Sequence, residues 1–144
     1  MRYLIEVYGI PGPQGSKRHV GNGVMLESSK KVKPWRELVH SAALSARMSG
    51  AEMIEPPLDC PLMVRMVFTL PKPQSAPKRR RTHPCRTPDL SKLARSTEDA
   101  LTTAGLWRDD ARVVEYTRLA KVYPGEDPES LSSPGVRIVV EPLP

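Results

Sequence analysis

A chain of 144 residues with 16 prolines and one phenylalanine has room for one domain with a modest core and long, stiff loops. Its 22 Lys and Arg against 16 Asp and Glu leave a formal charge of +6, a balance that attracts polyanions. Cys60 and Cys85 match neither a disulfide framework nor a zinc spacing, Glu6 interrupts the first apolar run, and no apolar segment reaches the ~18 residues of a membrane span, so the reading is of a non-secreted, cytoplasmic protein.

Residues 2–10, RYLIEVYGI, alternate and are rich in branched and aromatic side chains, which predicts a strand. PGPQGSKR breaks it, and a short second strand over 24–27 is expected to form a hairpin with the first. SSKKVKPWRELVHSAALSARMSG fits a helix. Pro34 suits its first turn, Trp35, Leu38, Val39 and Ala42 recur at helical spacing, and Gly50 ends it. Residues 61–70, PLMVRMVFTL, are apolar on both faces apart from Arg65 and Thr69, as in a central strand covered above and partly below. Five prolines and no apolar period make 71–88 an extended loop. Strands over 111–123 and 135–142 follow, and the polar loop between them, PGEDPESLSSPG, is expected to be mobile. The order β-β-α-β-α-β-β predicts an α+β fold: a single two-layer domain with two main helices packed on one face of a mixed sheet.

The stretch TPDLSKLARSTEDALTTAGLWRDDARVV, residues 87–114, holds five carboxylates: Asp89, Glu98, Asp99, Asp109 and Asp110. It reads as a helix with Thr87 as N-cap, Pro88 in the first position and Gly105 as the stop. Leu90, Leu93, Ala94, Thr97, Ala100, Leu101 and Ala104 form its apolar stripe. Lys92, Arg95, Asp99 and Thr102 lie opposite, Ser91 and Glu98 share the edge of the stripe, and Asp109 and Asp110 follow in a short turn. Crowded carboxylates repel one another and hold their charge around a cation. A hard divalent ion such as Mg²⁺ takes one or two carboxylates, with water and substrate phosphate completing its shell. The same acids also suit i,i+4 pairing with Arg95, Arg108 and Arg112 on a solvated surface.

The neighbouring charge favours the first reading. Residues 71–95 carry eight Lys and Arg (Lys72, Lys78, Arg79, Arg80, Arg81, Arg86, Lys92, Arg95) against Asp89 alone, an excess larger than that of the whole chain. A solvated basic loop without a fixed partner is the plain alternative. Beside an acid cluster, a strip that holds a phosphate backbone is what phosphodiester hydrolysis demands.

PDLSKLARSTEDALTTAGLWRDDARVV resembles the signature of the RusA-type Holliday junction resolvases, metal-dependent DNA endonucleases of bacteria and their phages. VYGIPGPQGSKR, the Trp-bearing helix and the closing strands are consistent with it. The resemblance implies a homodimer that nicks opposed strands of a four-way junction symmetrically, with Mg²⁺ or Mn²⁺ as cofactor. It carries metal-binding roles onto Asp89 and Asp110, with Asp109 beside them. It departs from the family pattern twice: the second Asp of the pair falls on Ser91, and the catalytic Lys falls on Arg95, which holds charge but is a poor proton donor. Glu98, two turns beyond Ser91, is the candidate for the missing charge. Ser16, Lys17, Arg18, Lys78, Arg79, Arg80, Arg81 and Lys92 are the expected DNA contacts. GPQGSKR lacks a Walker pattern, so no nucleotide cofactor is expected, and His19, His40 and His83 have no paired metal spacing. A junction-binding protein that keeps the basic surface with weakened catalysis is the second reading.

Overall fold

The computed structural model describes residues 2–15, 17–19, 25–27, 30–49 and 55–144, with backbone only at 17–19, 25–27 and 49. Among the described residues, six strands and two α-helices follow in the order β1 (Tyr3–Tyr8), β2 (Lys17–His19), β3 (Met25–Glu27), α1 (Val32–Ser49), β4 (Leu62–Thr69), α2 (Leu90–Thr103), β5 (Val113–Val122) and β6 (Gly135–Pro142). The main sheet has the order β1-β6-β4-β5. β6 is antiparallel to both β1 and β4, whereas β4 and β5 run parallel across α2. The sheet is therefore mixed, as expected.

Period-two alternation sorts the strands onto two faces. Tyr3, Ile5 and Val7 of β1, Val64, Met66 and Phe68 of β4, and Val136, Ile138 and Val140 of β6 join one core with Trp35, Val39, Ala43, Leu93, Ala94 and Leu101 of the helices. Both helices thus cover one face. Leu4 and Tyr8 remain about half exposed on the other. Thr69 and Val67 are buried there, and Leu131 N–H donates to Thr69 Oγ1 at 2.8 Å, so the chain between β5 and β6 covers the lower end of β4.

Three expectations are corrected. The short second strand does not pair with β1. Met25–Glu27 pairs with Lys17–His19, and β1 instead takes β6, whose Gly135 lies so close to Val7 O that a side chain there would collide with it. Leu38 is 43% exposed, because the helix turns Val32, Trp35, Val39 and Ala43 inward. Thr87 is not the N-cap of α2: Asp89 is, in extended conformation and with no side-chain cap bond, its carbonyl receiving Lys92 N–H and Leu93 N–H at 3.1 Å each. Among the described residues no helix is long and apolar enough to cross a membrane.

Candidate active site and nucleic-acid interface

The turn that places Asp110 begins with the end of α2. Ala104 caps the helix and Gly105 follows at φ 75°, a left-handed conformation that glycine adopts without strain. Leu106 N–H then donates to Leu101 O at 3.1 Å and Gly105 N–H to Thr102 O at 2.9 Å, the two bonds of a Schellman motif, with Leu101 and Leu106 both fully buried beside it. The reversed chain is pinned by Leu58: its N–H donates to Leu106 O and its carbonyl accepts from Arg108 N–H, both at 2.9 Å. Trp107 is driven into the core by this clamp. Its Nε1–H reaches Thr102 Oγ1 at 2.6 Å and Asp110 Oδ1 at 3.2 Å, and the Thr102 hydroxyl also bonds Asp110.

Asp110 is thereby held against the C-terminal half of α2, where Glu98 and Asp99 stand. The Tyr116 hydroxyl, from β5, donates to Glu98, and Arg36 Nη2, from α1, pairs with Asp99 Oδ2 at 3.2 Å. Burial pushes the Glu98 carboxyl above the ordinary range, and repulsion from Asp110 and Asp99 adds to it. Asp99 is raised too, by burial and then by its closeness to Asp110. Arg95 is exposed and opposes both shifts by favouring the ionised forms. Burial and Glu98 together raise the Tyr116 hydroxyl, so it stays protonated and remains a donor.

The expected site residues do not all meet. Asp89 is exposed at the N-terminal end of α2 and pairs with Lys92 at 3.7 Å. Asp110 touches Thr102, and thirteen residues of helix separate Asp89 from that turn by about 20 Å. Asp109 caps the short 3-10 turn Asp110–Arg112 by accepting Ala111 N–H at 2.7 Å. Arg108 and Arg112 both pair with Asp59, not with Asp109 or Asp110, and Glu98 has no ion pair with Arg95 or Lys92. Sequence reasoning counted Asp99 among the acids but gave it no role in the site, and missed Tyr116, Trp107 and Arg36 as its supports. The Glu98–Asp99 pair was visible as adjacent acids, but the contacts from β5 and α1 carry no local signal.

On the basic side, Ser16 lies outside the described residues and Lys17 and Arg18 are described as backbone only. The segment before them docks on α2, where Gln14 N–H donates to Lys92 O at 2.9 Å and Ser96 Oγ to Gly12 O at 2.6 Å. Lys78, Arg79, Arg80 and Lys92 are exposed. Arg81, also exposed, is paired with Asp127 at 3.0 Å.

Oxygen-only donors that are partly buried and mutually repelling suit a hard divalent cation. Among the described residues no group of three or more His, Cys, Asp or Glu is arranged to hold a metal ion by itself, so such a site is an open one that relies on water and phosphate for its remaining ligands. Because both acids titrate higher in the folded chain, their own contribution to stability is most favourable where they are protonated and falls as pH rises past the ordinary carboxylate pKa of about 4. In the absence of divalent metal, Glu98→Gln keeps an acceptor for Tyr116 and removes a repelling charge. It is expected to stabilise the protein at pH 7 by less than about 1 kcal/mol after allowance for screening, or up to roughly 3 °C in Tm. The gain should vanish below about pH 4, and an unchanged or lower Tm at pH 7 would contradict the repulsion.

Residues 9–141 match the family described as Endodeoxyribonuclease RusA. The chain belongs to the RusA endodeoxyribonuclease family. A curated relative is the crossover junction endodeoxyribonuclease rusA of Enterobacteria phage 82, 37% identical over 71 residues, which are 49% of this chain and 49% of that protein. The matched stretch thus spans about half the length of that RusA relative.

Proposed function

We propose that this protein is a structure-selective, metal-dependent endodeoxyribonuclease that resolves four-way DNA junctions by paired symmetrical nicks, acting as a homodimer in the cytoplasm. The observation that carries the reading is the trio Glu98, Asp99 and Asp110, gathered at the C-terminal half of α2 in a chain of the RusA family.

Asp110, with Asp99 or Glu98 beside it, would offer one or two carboxylates to the ion, Mg²⁺ or Mn²⁺, with water and phosphate completing its shell. A bound ion of this kind supplies positive charge at the scissile phosphate and a water of lowered pKa. The rest is done by side chains. Trp107 and Thr102 fix the Asp110 carboxylate, Tyr116 fixes Glu98, and Arg36 steadies Asp99. Arg95, exposed on the same helix, would hold phosphate charge but is a poor proton donor. Asp109 shapes the turn that carries Asp110. The distance along α2 keeps Asp89 away from this trio in its own chain, so Asp89 would help to hold the same ion only as a residue of a second chain in the dimer. Glu98 supplies the charge that Ser91 lacks, but to the Asp110 end of the helix. The test is metal-dependent cleavage of a labelled four-way junction: paired nicks support the reading, and a junction left intact in both Mg²⁺ and Mn²⁺ overturns it.

A further inference from the structure

The polar chain between β5 and β6, expected to be mobile, is bound to the basic loop and to the sheet. Asp127 has a side chain only 3% exposed. Its two oxygens take Nη1 and Nη2 of Arg118 at 2.9 and 2.6 Å, Oδ2 also takes Arg81 Nη2 at 3.0 Å, and Glu129 N–H donates to Oδ1 at 2.9 Å. Glu126 receives Lys72 Nζ at 2.5 Å and Thr82 N–H at 2.7 Å. Glu129 bridges Arg118 and Arg65 at 2.9 and 2.8 Å. Lys72, which precedes the basic run, and Arg81 and Thr82, which close it, are therefore both tied down. Between them Lys78, Arg79 and Arg80 are exposed and make no ion pair among the described residues. The run and residues 125–128 line an open groove of about 540 Å³.

Such acids have two possible effects on an anionic ligand. They can mask the cations, so that removing an acid tightens binding, or they can hold the cations in a shape that presents them. The geometry decides for the second. Arg118, fixed on β5, holds Asp127 whether or not Arg81 is present, and the enclosed carboxylate is not free to swing between states. Arginine pairing also holds Asp127 well below the ordinary carboxylate range.

We propose that the 126–129 turn is a positioning device for the DNA-binding loop: Asp127 and Glu126 anchor Arg81, Thr82 and Lys72 so that Lys78, Arg79 and Arg80 face the phosphates, and Arg81 is an anchor, not a phosphate contact. The inference rests on the DNA-binding reading above.

Asp127→Asn is expected to bind a four-way junction roughly tenfold more weakly, although the chain gains positive charge, because three long side chains must be ordered on binding. Trypsin should cut faster within 78–81 in the same variant. Asp127→Glu should restore most of both properties. Glu6→Gln, the same change of charge at an acid paired with Arg137, should bind as wild type or slightly tighter. Glu126→Gln should shift affinity and proteolysis in the direction of Asp127→Asn, and it stands in if the latter does not fold. Wild-type or tighter junction binding by a folded Asp127→Asn variant would overturn the proposal. If wild type itself binds no junction, the function fails instead, and trypsin still decides: unchanged cleavage within 78–81 overturns the anchoring.

Discussion

Asp110→Asn is expected to lower metal-dependent junction cleavage at least about 100-fold while leaving junction affinity at or above that of wild type. The asparagine side-chain oxygen can still accept from Trp107 Nε1 and the Thr102 hydroxyl, so the turn after α2 keeps its form. What is lost is a formal negative charge at a carboxylate that would hold the ion. On the proposed function, affinity for DNA would come from cations elsewhere and gain slightly when an acid is neutralised. The split between cleavage and binding is the signature of a lost metal ligand. Equal loss of both would indicate a collapsed turn, and wild-type cleavage would exclude Asp110 from the chemistry.

The largest effect on stability is expected at Trp35. Its ring is 1% exposed between the helices and the sheet, and its Nε1–H donates to Thr97 Oγ1 at 3.1 Å, which in turn bonds Leu93 O at 2.8 Å. Trp35→Ala opens a cavity at the joint of α1 and α2 and should lose about 3–5 kcal/mol, a large share of the ~5–15 kcal/mol typical of a whole domain. Urea or thermal unfolding checks this, and Tm should fall by roughly 10 °C or more. Trp35→Phe keeps most of the packing and loses only the hydrogen bond, so about 1–2 kcal/mol is expected. A loss below about 1 kcal/mol for the alanine variant would mean that the helices do not depend on this contact. Because Arg36 follows on the same helix and pairs with Asp99, the alanine variant should also disturb the acid cluster.

Local signals made much of this legible in the sequence. The apolar stripe of α2 is buried as expected at Leu93, Ala94, Thr97, Ala100, Leu101 and Ala104, with Gly105 closing it, because helical period and a left-handed stop are encoded within a few residues. The α+β layering and the central place of β4 followed from strand patterning and element order. Pairing that depends on distant partners was not legible. The choice of β6 over the second strand as the neighbour of β1 spans more than a hundred residues of sequence. The acids of residues 124–135 looked solvated and mobile because nothing local shows Arg118, Arg81, Lys72 and Arg65 converging on them. At the site, proximity in sequence was misleading in both directions. Asp109 and Asp110 lie among arginines that pair elsewhere, whereas Asp99 sits on the polar face of α2 and still reaches Asp110, because the chain folds back over the last turn.

Cleavage of a branched substrate is the most direct test of the proposed function. A four-way junction labelled on each strand in turn, incubated with Mg²⁺ or Mn²⁺, is predicted to show nicks at symmetry-related positions on two opposed strands, with a linear duplex of the same sequence left intact and all cleavage lost on chelation. A junction left uncut in both metals, or equal cutting of junction and duplex, would contradict it.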